Sequence, residues 1–386
     1  VLLLPMHGPK SYTGENTVEI HCHGGALITR RVLERVFQAG ARPAQPGEFT
    51  FRAFLSGKMD LSQAEAVQEL IAAKSELHLT VAEKQLQGSL SRKISEFQAE
   101  LTDSAAILEA WVDFPEEGLE FASLEEIIFS LESTCTKMKA LHATFHEGKI
   151  LHHGLSLCLS GAPNVGKSSL MNALLGKERA IVTHIAGTTR DLLEADMRLG
   201  NFHFKLIDTA GIRTTEEIIE AEGIKRSRIA LEEADIILFV VDASRSFTEE
   251  EKNLLATLPE EKTIIVWNKI DLEEVSSAFS YPQSVKISAK NHIGIDTLHT
   301  AIEKLIWKKG PPSKEEVLIT NERHHQALSN AITSLNALIS GLQTNISPEF
   351  LASDMRQTLI ELGTIIGTNI TEDILTAIFS KFCIGK

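Results

Sequence analysis

Long hydrophobic runs are absent from this sequence, cysteine is scarce, and positive charge is in deficit. No apolar stretch reaches the roughly 18–20 residues that a membrane-spanning helix needs, so we expect no membrane partner. The four cysteines, Cys22, Cys135, Cys158 and Cys383, form no CxxC pair. That spacing argues against a zinc site or a disulfide framework and favours a reducing compartment.

A formal net charge of -14 means that the surface as a whole repels nucleic acid and acidic membranes. An RNA partner would therefore need a local basic patch, or a basic protein that holds it. The 386 residues suffice for two or three domains. Because the sequence begins at Val1 within an apolar run, we expect part of the N-terminal region, with any targeting peptide, to lie outside it.

The first part of the sequence predicts mixed structure that becomes helical. Alternation over Val18–His23 predicts a strand, and Ala26–Gln38 predicts a helix. Apolar residues then recur at helical spacing over Leu61–Trp111, with a break near Gly88. Ser62–Glu65 has the pattern of a capping box at the start of this helix. A further helix is predicted from 124 to 147.

The middle of the sequence alternates short apolar strands with helices, which indicates a parallel sheet with crossover connections. The predicted strands are Leu155–Ser160, Phe204–Asp208, Ile236–Asp242, Thr263–Asn268 and Ser284–Ser288. Helices return after the linker at 310–313, one starting at Ser347 with Pro348 in its first turn and another near Thr371. We therefore predict an α/β domain inserted into a helical domain built from both flanks.

Gly161–Ser168 fits the pattern GxxxxGK[ST] between a predicted strand and a predicted helix, the context that a phosphate-binding loop needs. In such a loop, backbone N–H groups surround the phosphates. Lys167 would reach the β- and γ-phosphates, and the Ser168 hydroxyl would ligate Mg²⁺. Taken alone, the match could also be a glycine-rich turn without function.

Three further motifs follow in the order found in guanine-nucleotide-binding proteins. Asp208–Gly211 closes a strand, and its aspartate would reach the magnesium shell, while Thr188 and Thr189 lie where a switch loop would supply a second hydroxyl. The aspartate of Asn268–Asp271 would accept hydrogen bonds from guanine N1–H and the 2-amino group, which adenine cannot supply. Ser288–Lys290 supplies backbone near the guanine oxygen. Together the motifs predict a GTPase.

The sequence lacks the glutamine that orients the attacking water in Ras-like enzymes, because Ile212 stands in its place after Asp208–Gly211. An isoleucine side chain cannot orient water, so another group must do so. The available carboxylates of the second switch are Glu216, Glu217, Glu220 and Glu222. A solvated helix face is the simpler explanation for most of them.

More specific blocks lie outside these motifs. They are Ser11–Glu15, His21–Gly25, Pro46–Thr50, Arg52–Phe54, Lys58–Ala66, Ala186–Asp191 and the terminal FCIGK, Phe382–Lys386. With these blocks the sequence resembles the MnmE (TrmE) family of tRNA-modification GTPases over essentially its whole length. The chief departure is the missing N-terminus, which removes some residues of the family's folate site.

The resemblance implies an α/β plus all-α protein in which a Ras-like P-loop G domain is inserted into a discontinuous helical domain. The implied boundaries are a truncated α+β folate-binding and dimerisation domain at 1–57, helical segments at 58–150 and 313–386, and the G domain at 151–312. It also implies a cytoplasmic homodimer whose G domains approach each other when GTP and potassium are bound.

The family's nucleotide-binding positions match a set of residues here: Asn164, Val165, Gly166, Lys167, Ser168, Ser169, Thr183, Thr188, Thr189, Asp208, Thr209, Ala210, Gly211, Asn268, Lys269, Asp271, Ser288, Ala289 and Lys290. By resemblance, Mg²⁺ is held by Ser168 and Thr189, and K⁺ by Asn164, Thr183, Ile185 and Thr188. The K⁺ ion would stand in for an arginine finger. The implied catalytic residues are Glu220, acting through a bridging water, Lys167 and Cys383.

The implied reaction adds a carboxymethylaminomethyl or aminomethyl group to C5 of wobble uridine in certain tRNAs. The implied partner is the flavoprotein MnmG (GidA), which carries FAD and uses NADH. Because the present chain is acidic, we expect this partner to supply most of the basic surface that holds the tRNA. A tetrahydrofolate derivative (5,10-methylene- or 5-formyl-tetrahydrofolate) would donate the one-carbon unit. Family folate positions match Glu19, Lys58 and Lys386.

Several assignments stay open at this point. Cys383 is either a nucleophile or a small buried apolar residue. His21 and His23 could share a strand face as a metal pair, but structural histidines are the simpler reading because no third ligand is evident. Without the resemblance, Asn164 is a turn residue, Glu19 is a strand-edge glutamate, and Lys58 and Lys386 are solvated lysines. As functions, a ribosome-assembly GTPase and a non-catalytic folate-binding scaffold gated by GTP remain alternatives.

Overall fold

The structure is a computed structural model that describes residues 1–113, 123–177, 194–199, 202–208, 231–272, 281–307, 310, 313, 316–344, 346–382 and 385. The chain forms two compact units. The helical unit comprises Val1–Ala73, His78–Lys149 and Glu315–Lys386, and the sheet unit comprises Lys74–Leu77 and Ile150–Lys314. Among the described residues, no helix combines the length and apolar character needed to cross a membrane.

The described strands are β1 (Leu2–Met6), β2 (Thr17–His21), β3 (Leu155–Ser160), β4 (Glu194–Leu199), β5 (Phe202–Asp208), β6 (Ile236–Asp242), β7 (Thr263–Asn268) and β8 (Ser284–Lys286). The described helices are α1 (Ala26–Gln38), α2 (Glu48–Leu55), α3 (Leu61–Ala72), α4 (Glu76–Leu86), α5 (Ser89–Asp113), α6 (Leu124–Ala143), α7 (Phe145–His153), α8 (Lys167–Lys177), α9 (Glu249–Ala256), α10 (Ile295–Ile306), α11 (Glu322–Gln343), α12 (Pro348–Ile366) and α13 (Glu372–Phe379).

The N-terminal part of the helical unit is a small antiparallel ribbon followed by two helices. Leu2 of β1 pairs with His21 of β2, and Met6 pairs with Thr17. The predicted helix over Ala26–Gln38 is confirmed as α1. The predicted strand is shorter than expected: β2 ends at His21, so His23 lies beyond it and the two histidines do not share a strand face.

The core of the helical unit lies between α5, α6, α11 and α12. On α5 the buried residues recur three or four positions apart, which places them on one stripe of the helix: Leu90, Ile94, Phe97, Leu101, Ser104 and Leu108. Burying each large apolar side chain in such a stripe contributes about 1.5–3 kcal/mol before the entropy of ordering is subtracted. The apolar residues that recur at helical spacing therefore form the packed core of this unit.

Two predicted helices are divided in the structure. The break near Gly88 is confirmed, with Gly88 at φ +80°, and a second break separates α3 from α4. The helix predicted through residue 147 ends at Ala143, and α7 begins two residues later. The Thr144 hydroxyl lies at this junction, where it donates to the Leu141 carbonyl and accepts from the Ile319 N–H. A contact distant in sequence thus occupies the junction between the two helices.

The capping box predicted at Ser62–Glu65 is wrong by two positions. The N-cap of α3 is Asp60, whose carboxylate accepts from the Gln63 N–H at 3.0 Å, while the Gln63 side chain accepts from the Asp60 N–H. Glu65 is not part of the cap because α3 begins at Leu61, so that Gln63 and not Glu65 is its third residue. The Glu65 carboxylate instead contacts Arg323 and His324 of α11.

Glu65 is the centre of a buried ionic network in the helical unit. Its carboxylate lies 2.6 Å from Arg323 Nη2 and 2.7 Å from His324 Nε2. Arg323 also donates to the carbonyls of Thr364 and Ile365 at the end of α12, where helical carbonyls lack intrahelical partners. Burial alone would raise the pKa of Glu65, but His324 and Arg323 outweigh it and lower the pKa to about 2.

The sheet unit contains a six-stranded sheet in the order β4-β5-β3-β6-β7-β8. All neighbours are parallel except β4, which pairs antiparallel with β5 at the edge and was not predicted. The predictions for β3, β6 and β7 are confirmed to the residue, whereas β5 starts two residues earlier and β8 ends at Lys286. Ser288 instead forms an isolated bridge with Ile293. Because parallel strands share a carboxyl edge, the loops after β3, β6, β7 and β8 lie there together.

The buried network predicts that Glu65→Ala destabilises the protein by about 3–5 kcal/mol, because the Arg323 guanidinium is left largely buried without its carboxylate. Urea unfolding with a helical signal measures this loss. A matched control is Glu109→Ala, which breaks an ion pair with Arg356 at the surface and should leave the unfolding midpoint unchanged.

The same measurement at several pH values checks the charge of Glu65. Since its folded-state pKa of about 2 is below the ordinary 4.5, the stabilisation is complete above about pH 4.5 and is lost as the pH falls towards about 2. The difference in unfolding free energy between wild type and Glu65→Ala should therefore shrink below about pH 4.5. A difference that stayed constant down to about pH 3 would contradict this assignment.

Candidate nucleotide-binding site

The loop between β3 and α8 is held close to two other parts of the sheet unit. Gly161 has φ +137°, and a Cβ atom there would lie 2.2 Å from the Val240 carbonyl oxygen of β6. Gly166 has φ +101°, and its Cβ atom would lie 2.2 Å from Asn268 Nδ2. Neither the left-handed backbone nor the space admits a side chain at these positions. The two glycines therefore set how closely this loop packs.

The same loop places a positive charge and helical N–H groups side by side. Lys167 begins α8, and its Nζ donates to the carbonyls of Gly161 and Ala162 at 2.7 and 2.8 Å. Ser168 and Ser169 occupy the first turn of α8, whose N–H groups have no intrahelical partner. This geometry suits a phosphate group, because the helix N-terminus and an ammonium both favour negative charge.

Asn164 and Val165 form the turn in the centre of the loop. Asn164 has φ +65°, a left-handed conformation that asparagine tolerates better than most residues, and it is exposed. Val165 is fully buried, which anchors the loop from below. The exposed Asn164 side chain is thus the part of this turn that a ligand can reach.

The Asn268 side chain joins three of the predicted motifs. Asn268 ends β7 and is only 3% exposed. Its Nδ2 donates to the Val165 carbonyl at 3.0 Å, and its Oδ1 accepts from the Ala289 N–H at 3.0 Å. One amide therefore connects the phosphate-binding loop, the end of β7 and the loop after β8.

Asp271 lies beside the loop after β8. Its Oδ1 accepts from the Ser288 hydroxyl at 2.6 Å, and this hydrogen bond, with the charges of Lys290 and Lys269, lowers the pKa of Asp271. The carboxyl group is thus kept ionised. An ionised, exposed carboxylate at a sheet edge can accept two hydrogen bonds from a heterocycle that carries adjacent N–H donors.

Lys269 has a partner that the sequence analysis missed. Its backbone is left-handed, with φ +70°, and its Nζ lies 2.6 Å from Asp242 Oδ2. Asp242 is the last residue of β6 and also accepts from the N–H and hydroxyl of Ser244. The sequence did contain a signal for Asp242, because it is a polar residue at the end of an apolar predicted strand. Such a residue lies at the carboxyl edge of a parallel sheet.

Many of the predicted site residues fall outside the part of the chain that the structure describes. They are Thr183, Ile185, Thr188, Thr189, Thr209, Ala210, Gly211, Glu220, Cys383 and Lys386. Asp208 is described as the last residue of β5, where it pairs with Leu159 of β3. This pairing brings the end of β5 beside the start of the phosphate-binding loop.

The predicted folate residues Glu19 and Lys58 have separate local partners. The Glu19 carboxylate lies 3.0 Å from His21 Nε2, and Lys58 Nζ donates to the Pro9 carbonyl at 2.8 Å. The N-terminal part of the chain also contains a cavity of about 260 Å³, which neither Glu19 nor Lys58 lines. Its lining residues are Thr13, Glu15, Asn16, Thr17, Arg42, Ala44, Glu48, Phe49 and Arg52. Within the described ranges no cluster of three or more His, Cys, Asp or Glu could hold a metal ion.

Family models match almost the whole chain. The MnmE helical domain matches residues 61–383, and the N-terminus of the GTP-binding protein TrmE matches residues 1–58. The chain belongs to the MnmE family of tRNA-modification GTPases. The resemblance inferred from the sequence blocks is thereby confirmed, and the chain is a GTP hydrolase that acts in tRNA modification.

Similar proteins named tRNA modification GTPase MnmE cover the full chain. That of Protochlamydia amoebophila is 61% identical over 387 residues, which is 84% of its length. Those of Clostridioides difficile and Geobacter metallireducens are 41% and 42% identical, each over 85% of its length. Among solved structures, the G domain of the T. maritima FeoB iron transporter matches 39% of this chain and 98% of its own at 27% identity. Its TM-score of 0.30 is too low to establish a shared fold.

The bridging role of Asn268 predicts that Asn268→Ala impairs both stability and nucleotide binding. The Val165 carbonyl and the Ala289 N–H would lose their buried partner, at a cost of about 1–3 kcal/mol. A loss of that size in the bound geometry weakens binding of a fluorescent GDP analogue by roughly tenfold or more. Asn253→Ala, at an exposed position on α9, is the matched control and should bind as wild type does. Wild-type affinity in Asn268→Ala would refute the bridge.

Proposed function

We propose that this MnmE-family GTPase is activated by potassium and works with the flavoprotein MnmG (GidA). Together they install a carboxymethylaminomethyl or aminomethyl group at C5 of wobble uridine in certain tRNAs. The observation that carries the proposal is the Asn268 bridge, because it unites the phosphate-binding and base-binding motifs in a chain with the family's helical and N-terminal regions.

In the proposed site, the loop residues Asn164–Gly166 and Lys167 hold the phosphates of GTP or GDP. Ser168 holds Mg²⁺ with Thr189, and Asp208–Gly211 completes this side. The close glycine packing and the Lys167 ammonium fit a polyphosphate. Mg²⁺ supplies charge neutralisation at the β- and γ-phosphates. The chain's own residues orient the nucleotide and exclude water from its phosphates.

The guanine base in this proposal is recognised by the edge formed from Asn268, Lys269, Asp271 and Ser288–Lys290. The ionised Asp271 accepts from guanine N1–H and the 2-amino group. The hydrogen bond from Ser288 supports this role because it fixes one carboxylate oxygen and so orients the other. Any other base would leave these acceptors unpaired, and the site therefore selects guanine.

For catalysis we propose that Asn164, Thr183, Ile185 and Thr188 hold K⁺ and that Glu220 orients water through a second water molecule. The left-handed turn at Asn164, which presents its amide to solvent beside the phosphate-binding loop, supports the first part. Lys167 would stabilise the transferring phosphate. Cys383 is proposed as a residue of the modification chemistry.

The domain layout and partners complete the proposal. The domains are 1–57, 58–150 with 313–386, and an inserted G domain at 151–312; the order of the two compact units along the chain supports this arrangement. A homodimer in the cytoplasm would bind a tetrahydrofolate derivative through Glu19, Lys58 and Lys386. The partner would supply FAD and NADH. It would also hold most of the tRNA, and the net charge of -14 on this chain supports that role.

The potassium proposal predicts that GTP turnover is roughly tenfold or more faster in KCl than in NaCl, because the proposed site holds K⁺ in preference to Na⁺ and a charge at the arginine-finger position strongly favours the transition state. In Asn164→Gly this ratio should fall towards unity. Glycine keeps the left-handed backbone and removes only the side-chain oxygen. Unchanged affinity for GDP verifies that the loop is intact. Equal wild-type turnover in the two salts would rule out the K⁺ assignment.

The modification proposal predicts that tRNA from cells lacking this protein loses C5-modified wobble uridine, as measured by nucleoside mass spectrometry. A wild-type copy should restore the modification, and Asp208→Ala should not. Asp235→Ala is the matched control, because Asp235 precedes β6 at the opposite edge of the sheet, where it binds Ser156. Normal tRNA in cells without the protein would favour a ribosome-assembly GTPase instead.

A further inference from the structure

Asp242 lies at the carboxyl edge of the sheet without belonging to any of the nucleotide motifs. It is the last residue of β6 and pairs directly with Asn268 of β7. The Ala243 N–H donates to the Asn268 carbonyl at 2.8 Å, so the two strand ends are joined by backbone as well. Asp242 is therefore held rigidly next to the base-binding motif.

The Asp242 carboxylate divides its two oxygens between two tasks. Oδ1 accepts from the N–H and hydroxyl of Ser244 at 3.0 and 2.6 Å, which shapes the turn after β6. Oδ2 lies 2.6 Å from Lys269 Nζ. The positive charge nearest in sequence, Arg245, is engaged by Glu251 at 2.6 Å. The charge partner of Asp242 is therefore the lysine of the base-binding motif.

The environment keeps the Asp242 carboxylate ionised and oriented. Asp242 is 8% exposed. Its burial alone would raise the pKa of the carboxyl group, but the hydrogen bonds from Lys269 and Ser244 outweigh burial and lower it. A buried carboxylate of this kind is costly unless it is paired. The carboxylate thus has a strong preference for the one position of the Lys269 ammonium that satisfies it.

Fixing the Lys269 ammonium also fixes the stem of this side chain. The Lys269 backbone is already left-handed, and its carbonyl accepts from the Leu272 N–H at 3.0 Å. With both ends held, the methylene groups of Lys269, which lies between Asn268 and Asp271 in the chain, have few rotamers left to them. A stem ordered in advance offers an apolar surface to a planar base without losing rotamer freedom on binding.

We propose that Asp242 is a positioning residue of the guanine site, which acts by holding Lys269 in the conformation that receives the base. The inference deepens the proposed function and rests on its assignment of Asn268–Asp271 to guanine. Asp242 contributes to affinity by ordering the free protein. It therefore affects nucleotide binding in the ground state and the transition state equally.

The test is a double-mutant cycle in the full chain, with a fluorescent GDP analogue as the probe. Asp242→Ala should weaken binding about tenfold when Lys269 is present and less than about twofold in the Lys269→Ala background, because the effect travels through Lys269. Asp242→Asn, which keeps the acceptor for Ser244 but loses the charge, should fall between wild type and Asp242→Ala. In turnover, Asp242→Ala should raise KM for GTP and leave kcat within about twofold.

Asp235→Ala again serves as the control, since this aspartate makes the same kind of bonds to a serine at the other edge and should leave affinity unchanged. An equal loss of affinity with and without Lys269, or a fall in kcat at constant KM, would overturn the inference in favour of a purely structural role. If wild type itself bound no GDP, the proposed nucleotide site would fail. If wild type bound normally and the cycle showed no coupling, only the role of Asp242 would fail.

Discussion

The nucleotide-binding edge depends on the side-chain amide of Asn268, because both its nitrogen and its oxygen form hydrogen bonds with backbone groups of other loops. Its donor holds the Val165 carbonyl, 103 residues earlier, and its acceptor holds the Ala289 N–H. The fit is tight enough that a Cβ atom on Gly166 would overlap Asn268 Nδ2. The loop after β3, the end of β7 and the loop after β8, to which the proposed function assigns phosphate and base recognition, are thereby held in one geometry.

The parallel sheet makes this arrangement possible. β3, β6, β7 and β8 run in one direction, so their carboxyl ends deliver the loops after each strand to a common edge. Full burial of β6 and β7 makes that edge rigid, and a rigid edge keeps short polar side chains within hydrogen-bonding distance of each other. Asp242 and Ser288 then become partners for Lys269 and Asp271.

The helical unit also places a paired charge inside, here between helices. Glu65 is shared between Arg323 and His324, and Arg323 in turn caps the end of α12. The network links α3 to two helices that lie more than two hundred residues away in the chain. A buried pair adds little net stability compared with apolar packing, but a helix that slipped out of register would leave charges unpaired. We therefore interpret it as a device that selects one packing of these helices.

Features that depend only on neighbouring residues were predictable from the sequence. The strands β3, β6 and β7, the helix α1 and the loop between β3 and α8 are contiguous patterns, and each was predicted within a residue or two. The family blocks are contiguous as well, and the family that they indicated is confirmed. The pairings between residues far apart in the chain depend instead on how the elements pack. The local pattern placed Glu65 in a helix cap, but its carboxylate binds Arg323 of α11, 258 residues away. Asp242 was predicted only as the end of a strand, but its carboxylate also lies 2.6 Å from Lys269 Nζ. Local spacing encodes which element forms, whereas the partner of a buried charge depends on which elements meet, and no local pattern records that.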